Sequence, residues 1–120
     1  MSNKSAQDVE LEPIGAFLKD AQSAPNSPGR QSALLFERGT LEVRYYAPKG
    51  VDAQTPHDRD EAYVVISGSG RYRLGGRVVP FGPGDLLFAP AGAEHRFESF
   101  TEDFATWVLF YGPKGGETPG

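Results

Sequence analysis

Short stretches of alternating apolar and polar residues, separated by glycine and proline, fill most of this chain. The opening residues 1–12 are polar and are expected to be loose. Pro13 is placed to open a short helix that carries Ile14, Phe17, Leu18 and Ala21 on one stripe. The run SAPNSPGRQS, residues 23–32, ends any helix and reads as a linker or long loop. Strand patterns follow. SALLFER stops at Gly39, and in TLEVRYYAP the residues Leu41, Val43 and Tyr45 face one way, with Glu42 and Arg44 on the other. AYVVIS is a continuous run suited to burial on both faces. SGSGRYRLGGRVVPFGPGD offers two strands joined at Gly75-Gly76, where glycines supply the positive φ of a tight hairpin. DLLFAP, HRFESF and FATWVLFY complete about eight strands, with His95 and Phe97 sharing a face. Helix patterns do not alternate with these strands, so a parallel α/β fold is not expected. An all-β sandwich or barrel is.

The 120 residues are enough for one domain with one core. Gly 15 and Pro 10 fit a turn-rich β protein, and 38% apolar residues exclude a disordered composition. The net charge of −4, with basic residues scattered, argues against nucleic acid as a partner. No cysteine is present, which excludes disulfide and thiolate chemistry. The N-terminus lacks the apolar core of a secretory signal, and no apolar run reaches membrane-spanning length. A cytoplasmic protein without membrane association is the expectation.

Only two histidines occur, His57 and His95. Three residues separate His57 from Glu61, and six separate Glu61 from Gly68. Further on, five residues separate Gly84 from Pro90-Ala91-Gly92, and two more lead to His95. These spacings resemble the two sequence motifs of the cupin superfamily. Its second motif is matched at Gly84, Pro90, Gly92 and His95, and its first at His57, Glu61 and Gly68. The resemblance runs from Leu34 to Tyr111 and includes the hairpin at Gly75-Gly76. It implies an all-β double-stranded β-helix, a jelly-roll or cupin barrel, with a short N-terminal helical segment. Residues 1–31 would form an arm, 32–112 the barrel and 113–120 a flexible tail.

The resemblance also implies one divalent metal ion (Fe, Zn, Mn or Ni) in the barrel mouth, held by His57, Glu61 and His95. Thr55 stands where the first histidine of the family motif falls, and Ser99 where an asparagine falls. A shifted register would instead align His57 with the first histidine and Arg59 with the second. The Thr55 alignment keeps the spacing to Glu61 normal. Two imidazoles and a carboxylate suit an Fe(II) ion with open positions, or Zn(II) with a bound water. A ligating histidine needs a partner for its other ring nitrogen, and Ser99, Gln54 and Thr55 are candidates.

Alternation from Glu61 and His95 brings Tyr63, Val65 and Phe97 inward. Tyr63, Phe97, Trp107 and Tyr45 are the expected substrate contacts, with Tyr46, Phe88 and Phe110 as further candidates for the cavity wall. Core filling is the competing role for each aromatic residue. Asp58, Arg59 and Asp60 read as a solvated turn, and Arg71 with Arg73 as a solvated sheet face or an anion contact. The expected function is a metal-dependent enzyme, dioxygenase- or isomerase-like, acting on a small organic molecule. The alternative is a non-catalytic module that binds or senses a small molecule. Exposed jelly-roll edges and the family resemblance point to a homodimer.

Overall fold

A computed structural model describes residues 14–118. The polar opening 1–12 and the helix-opening role of Pro13 lie outside the described residues. Eight strands form: β1 Ala33–Arg38, β2 Leu41–Tyr46, β3 Asp60–Ser67, β4 Gly70–Leu74, β5 Arg77–Phe81, β6 Leu86–Ala89, β7 His95–Glu98 and β8 Ala105–Tyr111. They build two antiparallel sheets, one ordered β1-β2-β8-β3-β6 and the other β5-β4-β7. The all-β barrel expected from the sequence is therefore present.

The helix is smaller than the stripe of apolar residues suggested. It is a single turn, α1, Leu18–Ala21, and Phe17 at its N-cap offers no side-chain hydrogen bond. Ala21 is buried, while Ile14, Phe17 and Leu18 stay exposed. A helix this short, without a cap, holds only where a neighbour covers it.

Between the sheets lies a core of aromatic rings. Phe97 is its hub, with ring centroids 4.8 Å from Tyr63, 5.2 Å from Tyr72, 5.4 Å from Phe81 and 4.7 Å from Phe104. Tilted and edge-on contacts of this kind are favourable for π systems. Strand β3 enters the core with Glu61, Tyr63 and Val65, while its outer face, Ala62, Val64 and Ile66, is only half-buried. Its expected burial on both faces is thus met on one face only.

The inward face of β2 is the reverse of what its hydrophobicity indicates. Directly paired residues in an antiparallel ladder share a face. Tyr46 pairs with Thr106, Arg44 with Val108 and Glu42 with Phe110. Thr106, Val108 and Phe110 are all buried, so Glu42, Arg44 and Tyr46 point into the barrel with them. Arg44 is accommodated because Nη1 donates to Ser32 O at 3.2 Å, Ser32 Oγ at 3.1 Å and Ser27 Oγ at 3.1 Å, while Nε donates to Glu42. A buried guanidinium needs such partners. Leu41, Val43 and Tyr45 take the outer face.

Turns behave as glycine chemistry requires. The β4–β5 hairpin closes at Gly75-Gly76, but only Gly75 has positive φ, at 57°. Gly68 is demanding on two counts. Its φ is +82°, and a Cβ there would lie 2.5 Å from Phe104 Cα and 2.7 Å from Phe104 N. Past β8, Gly115 and Glu117 hydrogen-bond to the start of β3 and the loop before it. Asp60 accepts from Glu117 N at 2.9 Å and Ala91 N at 2.9 Å, and Gly115 N donates to Asp58 O.

Candidate metal centre

Three elements deliver the site. Glu61 sits on β3 facing the core, His95 opens β7, and His57 comes from the loop before β3. Gly92 N donates to His57 O at 2.7 Å, which joins that loop to the turn preceding β7. His95 Nε2 lies 2.7 Å from Glu61 Oε1, and His57 Nε2 lies 3.8 Å from the same oxygen. The potential ligand atoms of all three residues fall within 4.8 Å of one another.

The convergence is not accounted for by hydrogen bonds. Nε2 of both histidines and both Glu61 oxygens are buried with no hydrogen-bonding partner outside the trio, the 2.7 Å approach of His95 to Glu61 being a contact within it. Unpartnered polar atoms in a protein interior are costly, and a cluster of four suits cation binding better than a packing role. His95 also has its second ring nitrogen placed for ligation. Nδ1 is 3.0 Å from Ala93 O, so an Nδ1–H donated there leaves the Nε2 lone pair free. The partner is a backbone carbonyl rather than Ser99, Gln54 or Thr55. The group His57, Glu61 and His95 could hold a metal.

The electrostatics of the two imidazoles differ. Burial pushes His57 below its ordinary value, helped by His95 and Arg30 and opposed by Glu61. Burial also pushes His95 down, but Glu61, the Ala93 carbonyl and Asp52 outweigh it and raise that residue. Tyr63 is held well above its ordinary value by burial and by the Glu61 charge, so its hydroxyl stays a donor. It donates to Gln54 Oε1 at 3.2 Å.

Gln54 is in turn held by Asp52, a fully buried carboxylate that sequence patterning did not single out. Asp52 accepts from Tyr46 OH at 2.5 Å, Gln54 N at 3.2 Å, Gln54 Nε2 at 3.1 Å and Phe97 N at 2.8 Å. This one side chain ties β2, the loop carrying His57 and β7 together.

Beside the trio opens a cavity of about 410 Å3, lined by residues that include His57, Thr55, Gln54, Tyr46, Val108 and Phe110. Gly29, Arg30, Gln31 and Ser32 also line it. The end of the stretch 23–32, read as a linker, therefore forms one wall of the cavity.

The expected contact residues separate into groups. Tyr63 lies next to the trio, its ring 6.1 Å from that of His95. Phe97 is in the core and does not line the cavity. Tyr45 and Trp107 are paired on the outer face of the sheet, 6.0 Å apart, and do not line it either. The register of β2 and β8 turns Tyr46, Val108 and Phe110 to the cavity in their place. Phe88 lies in a separate groove of about 200 Å3 with Leu86, Val79 and Arg77. Arg73 pairs with Glu98 at 2.9 Å. Arg59 pairs with Glu42 and so is more than a solvated turn residue.

Comparisons with known proteins bear on the fold and the family. A family model described as "Cupin domain" (cupin-2) matches residues 42–111. An uncharacterised protein of Streptomyces coelicolor is 32% identical over 96 residues, covering 79% of this chain and 90% of that protein. A crystal structure of unknown function from Rhizobium leguminosarum superposes with a TM-score of 0.66 at 24% identity, over 84% of this chain and 98% of that one. A crystal structure of DMSP lyases matches with a TM-score of 0.55 at 28% identity, over 64% of this chain and 41% of that one.

Proposed function

Because the chain belongs to the cupin-domain family, we propose that it is a small metal-dependent enzyme, dioxygenase- or isomerase-like, acting on a small organic molecule in the barrel mouth. The observation that carries this is the set of four buried, unpartnered ligand atoms beside an open cavity. His57, Glu61 and His95 would hold one divalent ion, with Fe, Zn, Mn and Ni all compatible with two imidazoles and a carboxylate. Such an ion supplies Lewis-acid activation of an oxygen on the bound molecule, and an iron centre would add oxygen chemistry.

The chain's own residues have separate tasks. The Ala93 carbonyl fixes the ring of His95. Tyr63 and Gln54 place a protonated hydroxyl and an amide beside Glu61. Phe110, Val108 and Tyr46 give the cavity an apolar wall that limits water around the substrate. The 28% identity to a structure of DMSP lyases supports an enzyme reading and does not specify a substrate.

A second reading rests on Thr55, which lines the cavity where the family motif carries a histidine. With one ligand fewer, the site would bind or sense a small molecule without turnover. Reconstitution with Fe(II), Zn(II), Mn(II) or Ni(II), followed by oxygen uptake and product analysis on a substrate panel, separates the two. Turnover lost in His95→Ala supports the enzyme. Ligand-induced stabilisation without turnover, retained in metal-free protein, supports the binding module.

A further inference from the structure

Two guanidinium groups lie over the Phe110 ring, Arg59 at 5.7 Å and Arg30 at 5.8 Å from its centroid, and a third, Arg44, shares Glu42 with Arg59. Glu42 sits between Arg44 and Arg59, taking Arg44 Nε on one oxygen at 3.1 Å and Arg59 Nη2 on the other. Arg44 Nη1 is also used by Ser27 and Ser32, and Arg59 Nη1 by Thr40 O at 2.6 Å. Arg30 is different. Its guanidinium lies over the Phe110 ring, 5.8 Å from the centroid, and among the described residues it has no carboxylate partner.

Charge and reach then restrict what the cavity accepts. Arg30, Arg44 and Arg59 stand near four carboxylates, Glu42, Asp52, Asp58 and Glu61, so these cations carry no excess before an ion is bound. A divalent ion at the trio would turn that balance into one positive charge in excess. A neutral or cationic molecule gains nothing from such a field, whereas an anion does. The His57 ring is 4.9 Å from the Phe110 centroid and Arg30 is 5.8 Å from it, so the two are no more than about 11 Å apart. One short-chain molecule can reach both. Gln54, Thr55 and Ser32 offer polar contacts along the way, and Val108 with Phe110 an apolar one.

Resting on the metal reading of His57, Glu61 and His95, we propose that the cavity takes a small carboxylic acid, and that the planar fork of Arg30 holds its carboxylate while a second oxygen of the same molecule lies at the trio. A guanidinium matches a carboxylate through two parallel N–H···O bonds, which makes this arginine a specificity residue of the site. Nothing in the run SAPNSPGRQS marked Arg30 for this role. The assignment comes from the place of Arg30 in the cavity wall, over the Phe110 ring.

The test uses succinate and its uncharged analogue succinamide as probes, by titration calorimetry on the full chain, metal-free and loaded with Zn(II). Wild type is expected to bind succinate at least about tenfold more tightly than succinamide. Arg30→Gln is expected to lose that preference while keeping the zinc content and melting temperature of wild type. Zinc uptake with succinate bound equally by wild type and Arg30→Gln overturns the carboxylate assignment and leaves the metal site standing. Failure of wild type to take up zinc removes the metal reading. In that case a succinate preference in metal-free protein, lost in Arg30→Gln, still supports the assignment, and no preference overturns it.

Discussion

Asp52→Ala tests how the site is held in place. The Asp52 carboxylate is 1% exposed and accepts from four donors on three parts of the barrel. Two of those donors, the Tyr46 hydroxyl and the Phe97 amide, are themselves buried. Leaving a buried donor unmet costs about 1–3 kcal/mol, and the Gln54 groups can turn partly to water. Removing the carboxylate also relieves the cost of keeping a charge out of water, which offsets part of the loss. A net destabilisation of about 2–4 kcal/mol follows, equivalent to a fall in Tm of roughly 10–15 °C for a domain of this size. Asp52→Asn keeps one acceptor oxygen but turns an amide N–H₂ toward the remaining donors, so it should fall between wild type and Asp52→Ala. Urea denaturation followed by circular dichroism measures all three proteins under one set of conditions. An Asp52→Ala protein within about 0.5 kcal/mol of wild type, the range of an ordinary surface change, would refute the reasoning.

Further outcomes follow from individual contacts. Gly68→Ala combines a left-handed backbone with a Cβ 2.5 Å from Phe104 Cα, and should cost on the order of 2–5 kcal/mol in urea denaturation; wild-type stability would mean that the approach of the two segments is not needed. In the metal-free protein the raised His95 pKa contributes stability below the unfolded value of 6.5, lost as pH rises through the folded value. Metal binding needs that imidazole neutral. The Tm gap between zinc-loaded and metal-free protein should therefore widen with pH across about pH 5 to 8, and a gap that widens on acidification contradicts the assignment of His95 as a ligand.

The parts legible in the sequence were those written in spacing. Turn glycines and period-2 alternation located the strands, because each strand must change face at every residue and stop where the chain needs positive φ. The intervals from His57 to Glu61 and from Gly92 to His95 carry the resemblance to the cupin motifs that implied the trio, because those intervals are set by the strand and turn that deliver each side chain. What was not legible depends on partners far along the chain. The inward face of β2 is decided by β8, so Arg44 and Tyr46 point into the barrel although Val43 and Tyr45 are the more regular apolar set. For the same reason Tyr45 and Trp107 were expected at the cavity and lie outside it. The partner of His95 Nδ1 is a carbonyl oxygen, which every residue possesses and no residue type announces. The roles of Asp52 and Arg30 belong to loops, whose paths carry no periodicity to read.

The direct test of the metal centre is the metal content of the purified protein after reconstitution, by elemental analysis, in wild type, His95→Ala and Glu61→Gln. One divalent ion per chain in wild type is expected, with a content near zero in both variants while circular dichroism shows them folded. A wild-type protein that takes up no ion under any of the four metals, or a folded His95→Ala that retains a full equivalent, would contradict the account.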